Sequence, residues 1–277
     1  MKNIQKYFPF FLISFLLFSC EDVVNVDLET ASPKLVIDAS IKWNNNDNGN
    51  NQTIYLSTTT NYYSSSIPKV SGAIVFITNL SSETLPVYNF IETSAGTYQC
   101  ANFEPVLNNE YQLTVIYEEQ TYKATSILMP TPTIEFAEQS TITGFDGKDV
   151  IQFKFYFQDE LNQDNFYLIG FKNNNIVYPE YGIVTDEFFQ GNLMFGLYID
   201  EDLKAGDEVN YSLQGVTEKY SNYMNKLLNI AGNDGGSPFA TPPATLRGNI
   251  VNQTNIDNYP LGYFHLSEID SGSYTIE

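Results

Sequence analysis

Leu35, Ile37, Ala39, Ile41 and Trp43 alternate with polar or smaller residues, and the same period of two returns in short runs along most of the chain. An apolar residue at every second position presses one face of an extended strand against a core and leaves the other toward water. Comparable runs fall at 53–60, 73–79, 87–92, 96–103, 111–117 and 121–128. Residues 44–52, with six asparagines, one aspartate and one glycine, interrupt the series as a loop. Seven short strands within about a hundred residues predict an immunoglobulin-like β-sandwich over 33–130. Pro130 and Pro132 then end it, because proline removes a ladder donor and stiffens a linker.

A second set of extended runs lies at 150–157, 165–172, 193–199 and 208–216, with further extended segments near 247–252 and 261–267. Only one stretch has a helical period. Tyr220, Tyr223, Met224, Leu227, Leu228 and Ala231 share one face, with Thr217 placed to cap the start and Gly232 the end. The chain therefore reads as mainly β: a sandwich over 33–130, then a second β-rich domain over 131–277 with one amphipathic helix near 218–231. No repeat of fixed period indicates a solenoid or propeller.

The N-terminus is an export signal by composition. Lys2 and Lys6 precede an apolar run from Phe8 to Phe18, too short to span a bilayer, and small Ser19 stands directly before Cys20. That arrangement resembles the lipobox of bacterial lipoproteins. It makes residues 1–19 a signal peptide and Cys20 the site of a covalent lipid, the one non-protein group expected. Each buried methylene of such a lipid contributes about 0.8 kcal/mol to anchoring. Residues 20–32, with Glu21, Asp22, Asp27 and Glu29, read as an acidic tether. Glu21 and Asp22 fit equally a solvated linker or a signal for display on the outer face.

The formal net charge of −20 sets nucleic-acid binding aside, since that chemistry needs lysine and arginine to neutralise phosphates. With Cys20 acylated, Cys100 has no cysteine to pair with. Alternation places it beside Tyr98 on an inward face, as a small hydrophobe. His265 is the only histidine and lies on a strand, where a half-exposed position is expected. No glycine-flanked nucleophilic serine, phosphate-binding loop or zinc spacing is present. The Asn-rich loop fails as a calcium hand because its twelfth position is Tyr55, which lacks a carboxylate. Acidic residues around Gly206 read as a turn. No catalytic residue, metal or cofactor is expected, and the chain is read as a non-enzyme. Trp43, Tyr62 and Tyr63 beside the asparagines can form a stacking surface for a glycan or peptide; exposed tyrosines are also ordinary in a chain with 20 of them.

Pro33-Lys34-Leu35-Val36-Ile37-Asp38, Leu56-Ser57-Thr58-Thr59 and Pro68-Lys69-Val70-Ser71-Gly72-Ala73 follow one another in an order similar to that of a Bacteroidota lipoprotein family, domain of unknown function 4249. Gly96-Thr97-Tyr98, Tyr111-Gln112-Leu113, Tyr122-Lys123-Ala124 and Met129-Pro130 continue the resemblance. Gly248-Asn249-Ile250 and Leu261-Gly262-Tyr263-Phe264 match its closing pattern. The resemblance leads one to expect glycine in the turns at Asn108-Asn109 and Glu118-Glu119, where this chain has none. It carries over no catalytic residue. It implies an outer-membrane lipoprotein, outward facing, that serves as an accessory subunit of a TonB-dependent transporter or related β-barrel. The alternative is a surface module that captures a glycan or peptide.

Overall fold

The computed structural model describes residues 32–277 apart from 45, 62, 63, 65, 145, 146, 188, 189 and 233–245. The predicted signal peptide, Cys20 and nearly all of the acidic tether lie outside the described residues.

The described strands follow in order as β1 (Leu35–Asn44), β2 (Gln52–Thr58), β3 (Ile74–Asn79), β4 (Val87–Ser94), β5 (Thr97–Cys100), β6 (Glu110–Tyr117) and β7 (Gln120–Met129). Then come β8 (Ile134–Thr143), β9 (Asp149–Gln158), β10 (Phe166–Lys172), β11 (Glu180–Thr185), β12 (Leu193–Ile199) and β13 (Glu208–Val216). Helix α1 (Glu218–Gly232), β14 (Val251–Asn252) and β15 (Leu261–Thr275) complete the chain. Among the described residues the protein is mainly β with one helix, as the periodicity predicts.

The first seven strands do not form the expected sandwich. They run in the order β1-β2-β5-β4-β3-β6-β7, and β15 lies parallel to β1 on one side and touches β7 on the other at Leu266 and Ser267. Eight strands thereby close a mixed barrel. A register shift between Glu92 and Ser94 in the β4–β5 pair gives the extra local bend that such closure uses. At eight strands a barrel is just wide enough for side chains to fill it. Ile37, Ile41, Ile54, Leu56, Ile77 and Phe264 are fully buried within it. Phe103 packs between Tyr88 and Tyr111, with ring centres 4.8 and 5.4 Å away. Alternation reports which residues face inward, and an inward face is satisfied equally by a second sheet or by the same sheet curled on itself. The choice rests on β15, a strand supplied from the far end of the chain.

The closing pattern has a physical basis. Gly262 has φ +94, and a Cβ there would lie 2.0 Å from the Ile37 carbonyl oxygen. One residue past Gly248, the Asn249 side chain accepts from the Phe264 backbone N–H (2.9 Å) and donates to the Phe264 carbonyl (2.8 Å). Its amide stands in for a neighbouring strand where β15 would otherwise have an open edge.

Past Ser267, β15 carries the same sheet beyond the barrel by pairing with β13, which leads to β10 and β11. A three-stranded sheet in the order β12-β9-β8 packs on it. Phe153, Phe155 and Phe157 of β9 meet Tyr167, Ile169 and Phe171 of β10 and Leu213 of β13 in this second core. Helix α1 covers the opposite face: Tyr220 and Met224 pack on Leu168, Val216 and Tyr263. Thr217 caps it, its Oγ1 accepting from the Tyr220 N–H at 3.3 Å.

Candidate functional site

Strand β15 is covered on both sides, by barrel core within and by helix α1 without. That explains why β15 is buried at consecutive residues from Tyr263 to Glu268 and does not alternate. The register sets Asp38 against Tyr263, Ser40 against His265 and Lys42 against Ser267. These outward positions of the barrel wall form the floor of a cavity of about 350 Å³. Tyr220, Tyr223, Met224 and Leu227 of the helix, with Tyr181 of β11, bound the rest of it.

His265 is buried here, 3% exposed, and corrects the expectation of a half-exposed strand histidine. Its ring stacks on Tyr220 with centroids 3.8 Å apart and planes 18° from parallel. Nδ1 lies 3.4 Å from Ser267 Oγ, and Nε2 has no hydrogen-bond partner among the described residues. An orphaned buried nitrogen costs about 1–3 kcal/mol. Burial first, and the nearby Lys42 ammonium second, push its pKa down to about 3, so the ring is neutral at physiological pH.

Asp38 and Lys42 remain open to the cavity. Ser40 Oγ donates to Asp38 Oδ1 at 2.9 Å. The Lys42 ammonium makes no side-chain hydrogen bond among the described residues, and crowding by its neighbours pulls it below the usual lysine value against the opposing pull of Asp38. Burial raises the phenols of Tyr181, Tyr220 and Tyr223, and the Asp38 carboxylate raises each further, which places all three within electrostatic reach of it. Burial likewise pushes Tyr263 up to about 12. Tyr181 also lines a second, more open groove of about 520 Å³ over Gly170, Ser212, Ser271 and Ser273.

A second surface lies on the outer face of the three-stranded sheet. Leu193, Phe195, Leu197 and Ile199 of the edge strand β12, with Phe136 of β8, each expose 40–46% of their surface. Phe195, Tyr156 and Phe136 stand opposite one another across β12, β9 and β8. Tyr156 stacks on Phe136 at 4.5 Å, and Lys154 Nζ lies 4.9 Å from the centre of the Phe195 ring. Contiguous solvent-exposed apolar side chains of this kind are a candidate interaction surface.

Of the residues expected to form a stacking surface, Trp43 is half-buried against the barrel core, with Nε1 donating to the Asp47 carbonyl at 3.1 Å. Tyr62 and Tyr63 lie outside the described residues. The asparagine loop is built from local turns, Asn44 Oδ1 accepting from the Asn46 N–H and Asp47 Oδ1 from the Gly49 N–H. Around Gly206, Asp200 and Asp207 likewise accept backbone N–H groups, of Asp202 and Lys204. Among the described residues no group of three His, Cys, Asp or Glu side chains is placed to hold a metal ion. Cys100 is buried and free, with its thiol raised by burial. Sequence reasoning did not find the Asp38–Lys42 cavity: the two charges mark an outward strand face, and only helix α1, packing from a distant segment, makes a pocket of it.

Fold and site define a filled mixed β-barrel with an appended two-sheet layer and a helix-bounded cavity on the barrel wall. The family described as Domain of unknown function (DUF4249) matches residues 21–273, and the chain belongs to it. No curated protein matches the chain.

Proposed function

We propose that this chain is an outer-membrane lipoprotein, anchored by lipid on Cys20 and facing outward, that acts as a non-enzymatic accessory subunit of an outer-membrane β-barrel such as a TonB-dependent transporter. The observation that carries this reading is the exposed row Phe195, Tyr156 and Phe136, flanked by Leu193, Leu197 and Ile199. Burying such aromatic and aliphatic groups against a partner supplies the central anchor that stable interfaces use. Edge strand β12 adds a run of backbone groups on which a partner strand can pair. The signal-like N-terminus and Cys20 supply the tether. At a net charge of −20 the chain is repelled by anionic surfaces, so recruitment falls to specific contacts with the partner.

The test is purification of the full chain through a C-terminal tag in mild detergent at low salt. A barrel protein is expected with the wild type. It is expected to be lost with Phe195→Ser/Leu197→Ser, and Cys20→Ala is expected to leave the membrane fraction. Recovery of the wild type without any barrel, or unchanged recovery of a barrel by the double variant, overturns the reading.

A further inference from the structure

The cavity floor carries two opposite charges that do not pair with each other. Asp38 is hydrogen-bonded by Ser40, and no ion pair or hydrogen bond joins it to Lys42. Both lie on the outward face of β1, four residues apart, a span of about 13 Å along an extended strand that the lysine stem shortens. Tyr181, Tyr220 and Tyr223 line the same cavity within electrostatic reach of Asp38; one face of Tyr220 is taken by His265, and the aromatic surface of the other two beside a carboxylate suits an ammonium group. At the other end is an ammonium with no side-chain hydrogen bond, which suits a carboxylate. Leu168, Met224 and Leu227 add apolar wall to the same cavity. The volume, about 350 Å³, is that of a small-molecule site.

We infer that this cavity binds a short zwitterionic peptide with free ends, its amino terminus held at Asp38 among the tyrosines and its carboxylate at Lys42. Two or three extended residues span about 7–10 Å, which matches the interval once the lysine side chain leans inward. A neutral glycan has no use for two separated charges, and an acyl chain would leave both without a partner. The buried His265, whose Nε2 also lacks a partner, makes the wall more polar than a structural filler would be. The inference rests on the cavity alone and stands whether or not a barrel co-purifies.

Titration calorimetry on the full chain in detergent, with leucyl-leucine as probe, tests it. Saturable binding is expected. N-acetyl-leucyl-leucine and leucyl-leucine amide, each lacking one charge, are expected to bind about tenfold more weakly. Asp38→Asn is expected to weaken leucyl-leucine by a similar factor while leaving the acetylated form nearly unaffected, and Lys42→Met to do the same with respect to the amide. Asp38 is exposed and Lys42 is exposed at the cavity mouth though partly desolvated, and thermal melts test whether the variants are folded. If either variant does not fold, the blocked peptides on the wild type still decide. Absence of saturable binding at millimolar leucyl-leucine, equal binding of the blocked peptides, or maltose binding in their place overturns the inference.

Discussion

His265 couples the cavity wall to the stability of the whole chain. Its folded pKa of about 3 lies below the ordinary histidine value of 6.5, so the unfolded chain takes up a proton that the folded one refuses. Stability is therefore intact above pH 6.5 and falls as the pH drops from there toward 3, by a total on the order of 5 kcal/mol from this residue. Asp186 works the other way. Its carboxyl is raised, by burial first and by Asp159 and Asp164 after, and it gains protons more readily when folded. Replacing His265→Phe keeps a ring against Tyr220 and removes the titration, so the variant's stability is expected to fall less than the wild type's between pH 6.5 and 4. Urea denaturation at a series of pH values measures it. Parallel curves for the two proteins would show that the histidine is protonated in the folded state.

At the scale of elements, the β6–β7 hairpin departs from its best turn chemistry. Tyr117 pairs with Gln120, so the loop has two residues, and Glu118 and Glu119 both take left-handed backbone with φ of 47 and 61. This is the turn that glycine or asparagine fills at least cost, because other side chains crowd the backbone there. Asn108, with φ 64, takes the same left-handed backbone but is itself a residue that tolerates it. These are the positions where the family resemblance leads one to expect glycine, and the structure keeps the turn shape without the residue. Glu119→Gly is expected to raise stability by about 0.5–1 kcal/mol, less than the full steric relief because glycine also loosens the unfolded chain. A rise in the urea midpoint at unchanged slope is the readout. An unchanged or lower midpoint would mean the hairpin carries no strain there. Helix α1 and most strands were legible from period alone. Strand β11 was not: Glu180–Thr185 shows no clean alternation and is ordered by its pairing with β10.

At the scale of the whole molecule, β15 joins the two halves. Its first part lies beside β1 and puts Phe264 and Leu266 into the barrel core, and its second part pairs with β13 beside the aromatic core. A fragment of residues 33–130 would keep β1 through β7 but expose the edges of β1 and β7 that β15 covers, and open edges of that kind associate. The fragment is expected to aggregate or to melt without a cooperative transition, whereas residues 33–277 melt with one. Gel filtration and circular dichroism distinguish the outcomes, and a monomeric fragment with a sharp melt would count against closure by β15 as the source of its stability. The alternation of Leu35 through Trp43, the inward pair Tyr98 and Cys100, the helix behind Thr217 and the acidic charge were all determined by sequence alone. Each of these follows from the side-chain period of a strand or helix, or from composition, and needs no distant partner. Closure of the barrel, the burial of His265 and the joining of Asp38, Lys42 and the tyrosines in one cavity were decided only by tertiary structure. They depend on the register between strands from opposite ends of the chain and on a helix laid across them, and local periodicity carries no information about which distant segment will cover a given face.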